Sequence, residues 1–298
     1  MDTEVKNTIS AEEQEAQYDA SAKRLLGQKI ILAHILVSTV DDFKNMTPKE
    51  AAECIEGDPK IGSVPVEPGH TNQKHNGGKI AGLNGESAEH NEGLIRFDIV
   101  FYVRLKDGLS QIIINVEAQK DEPSKYQIIN RAIFYASRLI SSQKERDFVN
   151  SEYDNIKKVY SIWVCMNMRD NTLNHIHLTD DKKIGSYTWD GKLDLFNIVM
   201  IGLGVSIPEH DETYELHRLL GALLSMDLTA EEKLNIMEQE YKIPMEQKLE
   251  EGVKVMCNLS QGIKEAGIAV GEKRGMEKGI AEAVLKGPLA AYPVIGVK

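Results

Sequence analysis

The stretch Arg96–Asp121, RFDIVFYVRLKDGLSQIIINVEAQKD, constrains the fold more than any other part of the chain. Two runs rich in β-branched and aromatic residues flank Asp107-Gly108, the pattern of a β-hairpin closed by a two-residue turn. Facing residue numbers then sum to 215, as for Lys106 and Leu109. That register sets Asp98 directly across from Glu117. Opposed residues have Cβ atoms roughly 4.5–5.5 Å apart, and like charges so placed are destabilising. Either one carboxyl is protonated or a cation lies between them. A divalent ion with hard oxygen ligands, Mg²⁺ or Mn²⁺, is the natural occupant. Side-chain alternation adds Gln119 to the same face and sends Phe97, Ile99, Phe101 and Val103 to the other. A second reading pairs each acid with a nearby cation, such as Arg96 or Arg131, on a solvated face.

The remaining chain supplies helices and further strands. Ala22, Leu25, Leu26, Ile30, Ala33, Val37 and Val40 recur at helical spacing and predict one long helix from about Tyr18 to Phe43. A short helix follows, with Thr47 as N-cap, Pro48 at N1 and Glu50 at N3. Residues 57–92 hold seven glycines and three prolines, which predicts a long functional loop with a short strand near Gly62–Val66. After the hairpin come a helix over 124–142, a buried strand over 158–167, a strand-like arm over 173–179 and an apolar run over 193–204. Thr229 and Glu232 form a capping box for a helix that runs to Tyr241, and Pro244 separates it from a terminal helical region. Glycines at 267, 271, 275 and 279 recur every four residues there, which suits either a close helix–helix contact or a frayed tail. The predicted fold is α/β: a mixed β-sheet core flanked by helices, with a helical C-terminal extension.

Composition narrows the class. The net charge is −11, yet residues 96–170 carry 12 Lys+Arg against 10 Asp+Glu, so the middle of the chain is slightly basic and the flanks hold the acidity. A polyanionic substrate is neither supported nor excluded by charge alone. Three scattered cysteines argue against a disulfide framework and, with no apolar run of membrane-spanning length, predict a cytoplasmic protein. His175 and His177 read as residues of a surface strand. His70, His75 and His90 lie in the long loop without ligand spacing, and the GLG at 202–204 lacks a dinucleotide fingerprint. Trp163 and Trp189 read as core or interface residues.

An acid on one strand, then Glu-x-Gln on its hairpin partner, then a helix, resembles the PD-(D/E)XK nuclease core. YDASAKRLLGQKIILAHIL at 18–36, NEGLIRFDIVFY at 91–102, IIINVEAQKD at 112–121, RAIFYASRLISSQ at 131–143 and KKVYSIWVCMN at 157–167 are similar to the PD-(D/E)XK nuclease family transposases, related to recombination-promoting nucleases. The resemblance runs over roughly residues 18–286. It implies a restriction-endonuclease-like core over 18–210 with the loop 57–92 and a helical region over 211–286; the residues themselves suggest an acidic flexible tail over 1–17 and a non-native or disordered tail over 287–298. It implies that Asp98 and Glu117 ligate Mg²⁺, for which Mn²⁺ substitutes, and that Gln119 stands where many members of the superfamily have a lysine. Phe97 stands where the motif has proline. Arg131, Tyr135 and Arg138, spaced along one face of the next helix, become candidate DNA-phosphate contacts. Asp19 or Glu15 of the first helix, and Glu92, are weaker candidates for a further acid.

The function so implied is a metal-dependent DNA endonuclease linked to transposition or recombination, with no membrane partner and with self-association through the C-terminal helices. Two alternatives stand beside it. One is a catalytically weak module, with glutamine in place of lysine, that binds nucleic acid or protein. The other is a metal hydrolase acting on a small phosphoester.

Overall fold

The structure is a computed structural model that describes residues 16–66, 95–105, 111–120 and 123–286. The turn at Asp107-Gly108, the three loop histidines, Glu15, Glu92 and the 287–298 tail lie outside those residues. In chain order the elements are α1 over 16–26, α2 (Lys29–Thr39), α3 (Pro48–Glu53), β1 (Lys60–Val66), β2 (Ile95–Arg104), β3 (Gln111–Gln119) and α4 (Ile128–Ser141). Then follow β4 (Lys158–Met168), β5 (Thr172–His177), β6 (Phe196–Gly204), α5 (Glu215–Leu224), α6 (Ala230–Asn235) and α7 (Gln247–Lys286).

The six strands form one mixed sheet in the order β1-β2-β3-β4-β6-β5. The β1/β2, β2/β3 and β5/β6 pairs are antiparallel, and β3/β4 and β4/β6 are parallel. β2 and β3 pair from Ile99↔Val116 to Arg104↔Gln111, which is the register that a two-residue turn at Asp107-Gly108 predicts. α4 is the crossover that returns the chain to a parallel neighbour, as such a connection requires.

Alternation along the strands builds two apolar faces. Ile99, Phe101, Val103, Ile112, Ile114 and Val116 join Leu25 and Leu26 of α1, Leu32 and Leu36 of α2, and Leu219 and Leu223 of α5 in the larger core. Val253 and Met256 of α7 belong to the same cluster. The other face carries Val100, Tyr102, Ile113 and Val159 beneath Leu139, and Trp163, Cys165 and Ile198 beneath Ala132 and Ala136 of α4. Small residues at the seat of α4 bring its axis close to the sheet.

The long helix expected over 18–43 is two helices, α1 and α2. Gln28 is extended (φ −66°, ψ 131°) and caps α2. The break falls at Gly27, where an added Cβ would lie 2.4 Å from the end of the Ile61 side chain, so a side chain of β1 packs against the joint. Apolar periodicity continues across this joint, which is why the sequence reads as one helix. Both capping boxes are present: Glu50 N–H donates to Thr47 Oγ1 at 3.3 Å and Glu232 N–H to Thr229 Oγ1 at 3.3 Å. α7 leaves the core after its first four turns. From Lys264 to Lys278 it is exposed except for a half-buried Ala266, and an added Cβ at Gly267, Gly271 or Gly275 would meet nothing within 4 Å. Among the described residues, no helix is long and apolar enough to cross a membrane.

Candidate metal centre

The β2/β3 ladder stops at Ile99↔Val116, one pair short of the two acids. There each carboxylate takes a backbone donor of the opposite strand. The Asp98 N–H donates to Glu117 Oε1 at 3.0 Å, and the Ala118 N–H donates to Asp98 Oδ2 at 3.1 Å. The acids are therefore crossed between the strands, each doing what a backbone carbonyl would do one step along the ladder.

Their environments differ. Glu117 is 2 % exposed, whereas the Asp98 side chain is 17 % exposed. Burial, with the charge of Asp98 behind it, pushes the Glu117 carboxyl up to about 8. A buried carboxyl beside a second acid holds its proton until a cation replaces it.

Three elements surround this pair, and two of them bring positive charge. α4 presents Arg131, whose Nη2 lies 4.0 Å from Glu117 Oε2. The guanidinium also donates to Tyr135 Oη at 2.9 Å, Tyr126 Oη at 3.2 Å and Gln119 Oε1 at 3.4 Å. β4 supplies the floor: Trp163 stands beside Glu117 in the parallel register, and the Arg131 guanidinium sits 5.3 Å from its ring centre and 4.9 Å from that of Tyr135. Trp163 is fully buried and donates its Nε1–H to Ser161 Oγ at 2.9 Å, which fixes the ring plane. The third element is α1. Its Lys23 Nζ lies 2.9 Å from Asp98 Oδ1 and 2.6 Å from Asp19 Oδ2. Burial lowers the Lys23 ammonium, but its bonds to Asp19 and Asp98 outweigh this and hold it above the ordinary lysine range.

Asp98, Glu117, Gln119, Arg131 and Tyr135 are thus one constellation. Arg138 is placed elsewhere. It is 6 % exposed, sits 5.8 Å from the Phe134 ring centre, and lies about 10 Å further along the helix axis than Arg131 at 1.5 Å per residue. Among the described residues, Asp19 reaches the site through Lys23. Sequence reasoning passed over Lys23 and the Ser161–Trp163 support. The one local signal for Lys23 is its i,i+4 spacing from Asp19, which surface ion pairs on helices share. His175 lies on β5 at the sheet edge, with its Nε2 3.0 Å from Asn197 Oδ1.

Among the described residues, no group of three or more His, Cys, Asp or Glu is arranged to hold a metal ion. Two carboxylates nevertheless suit Mg²⁺, which keeps several waters and is usually bound by one or two carboxylates with substrate phosphates completing the shell. The donor set also fits by chemistry, since both acids and the Gln119 amide offer hard oxygen.

Residues 80–195 match the family model of the PD-(D/E)XK nuclease family transposase. The matched segment contains Asp98, Glu117, Gln119, Arg131 and Tyr135, and α1 lies outside it. A six-strand mixed sheet flanked by helices is consistent with the PD-(D/E)XK fold, and the match supports a nuclease- or transposase-like function. PD-(D/E)XK nucleases generally use divalent metal ions. Comparison with curated proteins and with solved structures gives no match.

Proposed function

We propose that the chain is a Mg²⁺-dependent DNA endonuclease, with Mn²⁺ able to substitute, acting in transposition or recombination. The observation that carries this reading is the pair of crossed acids at the end of the hairpin, inside the segment that matches the nuclease family. In this reading Asp98 and Glu117 hold the ion. When bound, it polarises the phosphodiester and lowers the pKa of a water.

The chain's own residues do the rest. Glu117, raised to about 8 by burial, would hold the ion only in its deprotonated form. Gln119 has no charge and no titratable proton, but its amide, held by Arg131, can orient the attacking water. Arg131 is 31 % exposed by side chain and, packed against two aromatic rings, is positioned to contact a phosphate oxygen. The water oxygen bonds to phosphorus as the P–O bond to the leaving oxygen breaks, and one proton of that water ends on the leaving oxygen.

The test is cleavage of supercoiled and linear duplex DNA with Mg²⁺ or EDTA. Asp98→Asn and Glu117→Gln keep the acceptors' shapes and are expected to lower the rate by at least roughly a hundredfold each. Equal cutting by both variants and wild type would sink the assignment. Cutting of nucleotides in preference to DNA would favour the small phosphoester reading. A second reading draws on Gln119 in place of lysine: a module that binds DNA without cutting it. Metal-independent DNA binding with no cleavage by wild type would select that reading. The exposed part of α7 is proposed to join copies of the chain.

A further inference from the structure

The charge that Gln119 cannot supply is present at the site on another element. We propose that Lys23 of α1 is a catalytic residue for cleavage: it brings a fixed ammonium to the Asp98 side of the acid pair, where Gln119 brings no charge. The inference rests on the nuclease reading above.

Four observations carry it. Lys23 Nζ contacts Asp98 directly at 2.9 Å. The side chain is held on its far side by Asp19 at 2.6 Å, so it is aimed rather than loosely solvated. Its 20 % side-chain exposure leaves the ammonium within reach of a substrate oxygen. Finally, α1 has a reason to be rigid: Ala22, Leu25 and Leu26 are buried to 1 % or less, and Tyr18 Oη donates to Leu224 O at 2.7 Å. A residue pinned in this way delivers a charge at a fixed point without reorganisation, which is what stabilises a transition state that spreads negative charge. Arg131 does the same from the Glu117 side, so the pair of acids is bracketed by one lysine and one arginine.

A structural ion pair predicts a different response from a catalytic charge, and two measurements on the full chain separate them. The first is single-turnover cleavage of duplex DNA at saturating Mg²⁺. The second is Mn²⁺ affinity by electron paramagnetic resonance without DNA. Lys23→Met keeps the apolar stem and removes the charge. It is expected to lower the cleavage rate about a hundredfold, while Mn²⁺ binds severalfold tighter because a neighbouring positive charge is gone. Lys23→Arg is expected to recover most of the rate. Lys23→Met that cuts at the wild-type rate would overturn Lys23 alone. So would loss of both cleavage and Mn²⁺ binding with no recovery in Lys23→Arg, since that marks a scaffold role. Wild type that cuts no DNA would overturn the nuclease reading, and Lys23's role with it.

Discussion

Glu117 is the residue on which the behaviour of the site turns. Its carboxyl is raised to about 8, first by burial and then by Asp98. A metal must displace its proton, so Mn²⁺ affinity is expected to rise by about tenfold per pH unit up to that value and to level off above it. Calorimetry in buffers of different ionisation enthalpy should show close to one proton released per ion at pH 7. A flat profile would place the ion elsewhere. The same shift has a stability consequence. Between the ordinary glutamate range and about 8, the folded chain binds more protons at Glu117 than the unfolded chain does, so stability without metal falls as pH rises through that window. Glu117→Gln removes this dependence. In EDTA at pH 9 it is expected to melt a few degrees above wild type, and a lower melting temperature would contradict the burial argument.

At the scale of elements, α4 decides where Arg131 stands. It rests on the sheet through Ala132 and Ala136, both fully buried against the patch that holds Trp163. Ala136→Leu overfills that seat and is expected to cost about 1–3 kcal/mol. It lifts the helix and slows cleavage, read as a lower melting temperature together with a lower rate. A variant with unchanged melting would mean that α4 is not seated there.

The hairpin was legible in the sequence because turn chemistry and period-two alternation are local: Asp107-Gly108 sets a register, and the observed pairs obey it. What lies one step beyond was not legible. The end of the ladder at Ile99↔Val116 depends on side chains competing with backbone for the same donors. The break at Gly27 depends on Ile61 arriving from β1. Lys23 reaches Asp98 from a helix that precedes β2 by two other helices and a strand, and no spacing rule connects them.

At the scale of the molecule, α7 divides into two parts with different jobs. Val253 and Met256 are fully buried in the main core, so a chain cut at residue 250 loses part of its interior. A chain ending at Lys264 keeps that interior and loses only the exposed, glycine-spaced segment. Each interior glycine weakens an isolated helix by about 1 kcal/mol, which is the physical basis for proposing that another copy supports it. The shortened chain is expected to melt within a degree or two of full length, since a change of about 1 kcal/mol moves a chain of this size by only a few degrees. In sedimentation it should be monomeric while the full chain associates. Equal sedimentation of the two would remove self-association from the proposal.

The crossed bonds between Asp98 and Glu117 also bear on how such a chain decays once selection on it relaxes. Loss of Asp98 leaves the buried-edge Ala118 N–H without its acceptor, a defect of about 1–3 kcal/mol. A substitution that removes the Asp98 acceptor therefore softens the hairpin, and its carriers are prone to be cleared as misfolded protein. Among the described residues the Lys23 side chain holds no backbone group, and its neighbours Asp19 and Asp98 are partly solvated. On the proposed reading, the least disruptive route to a silent, well-folded chain runs through α1.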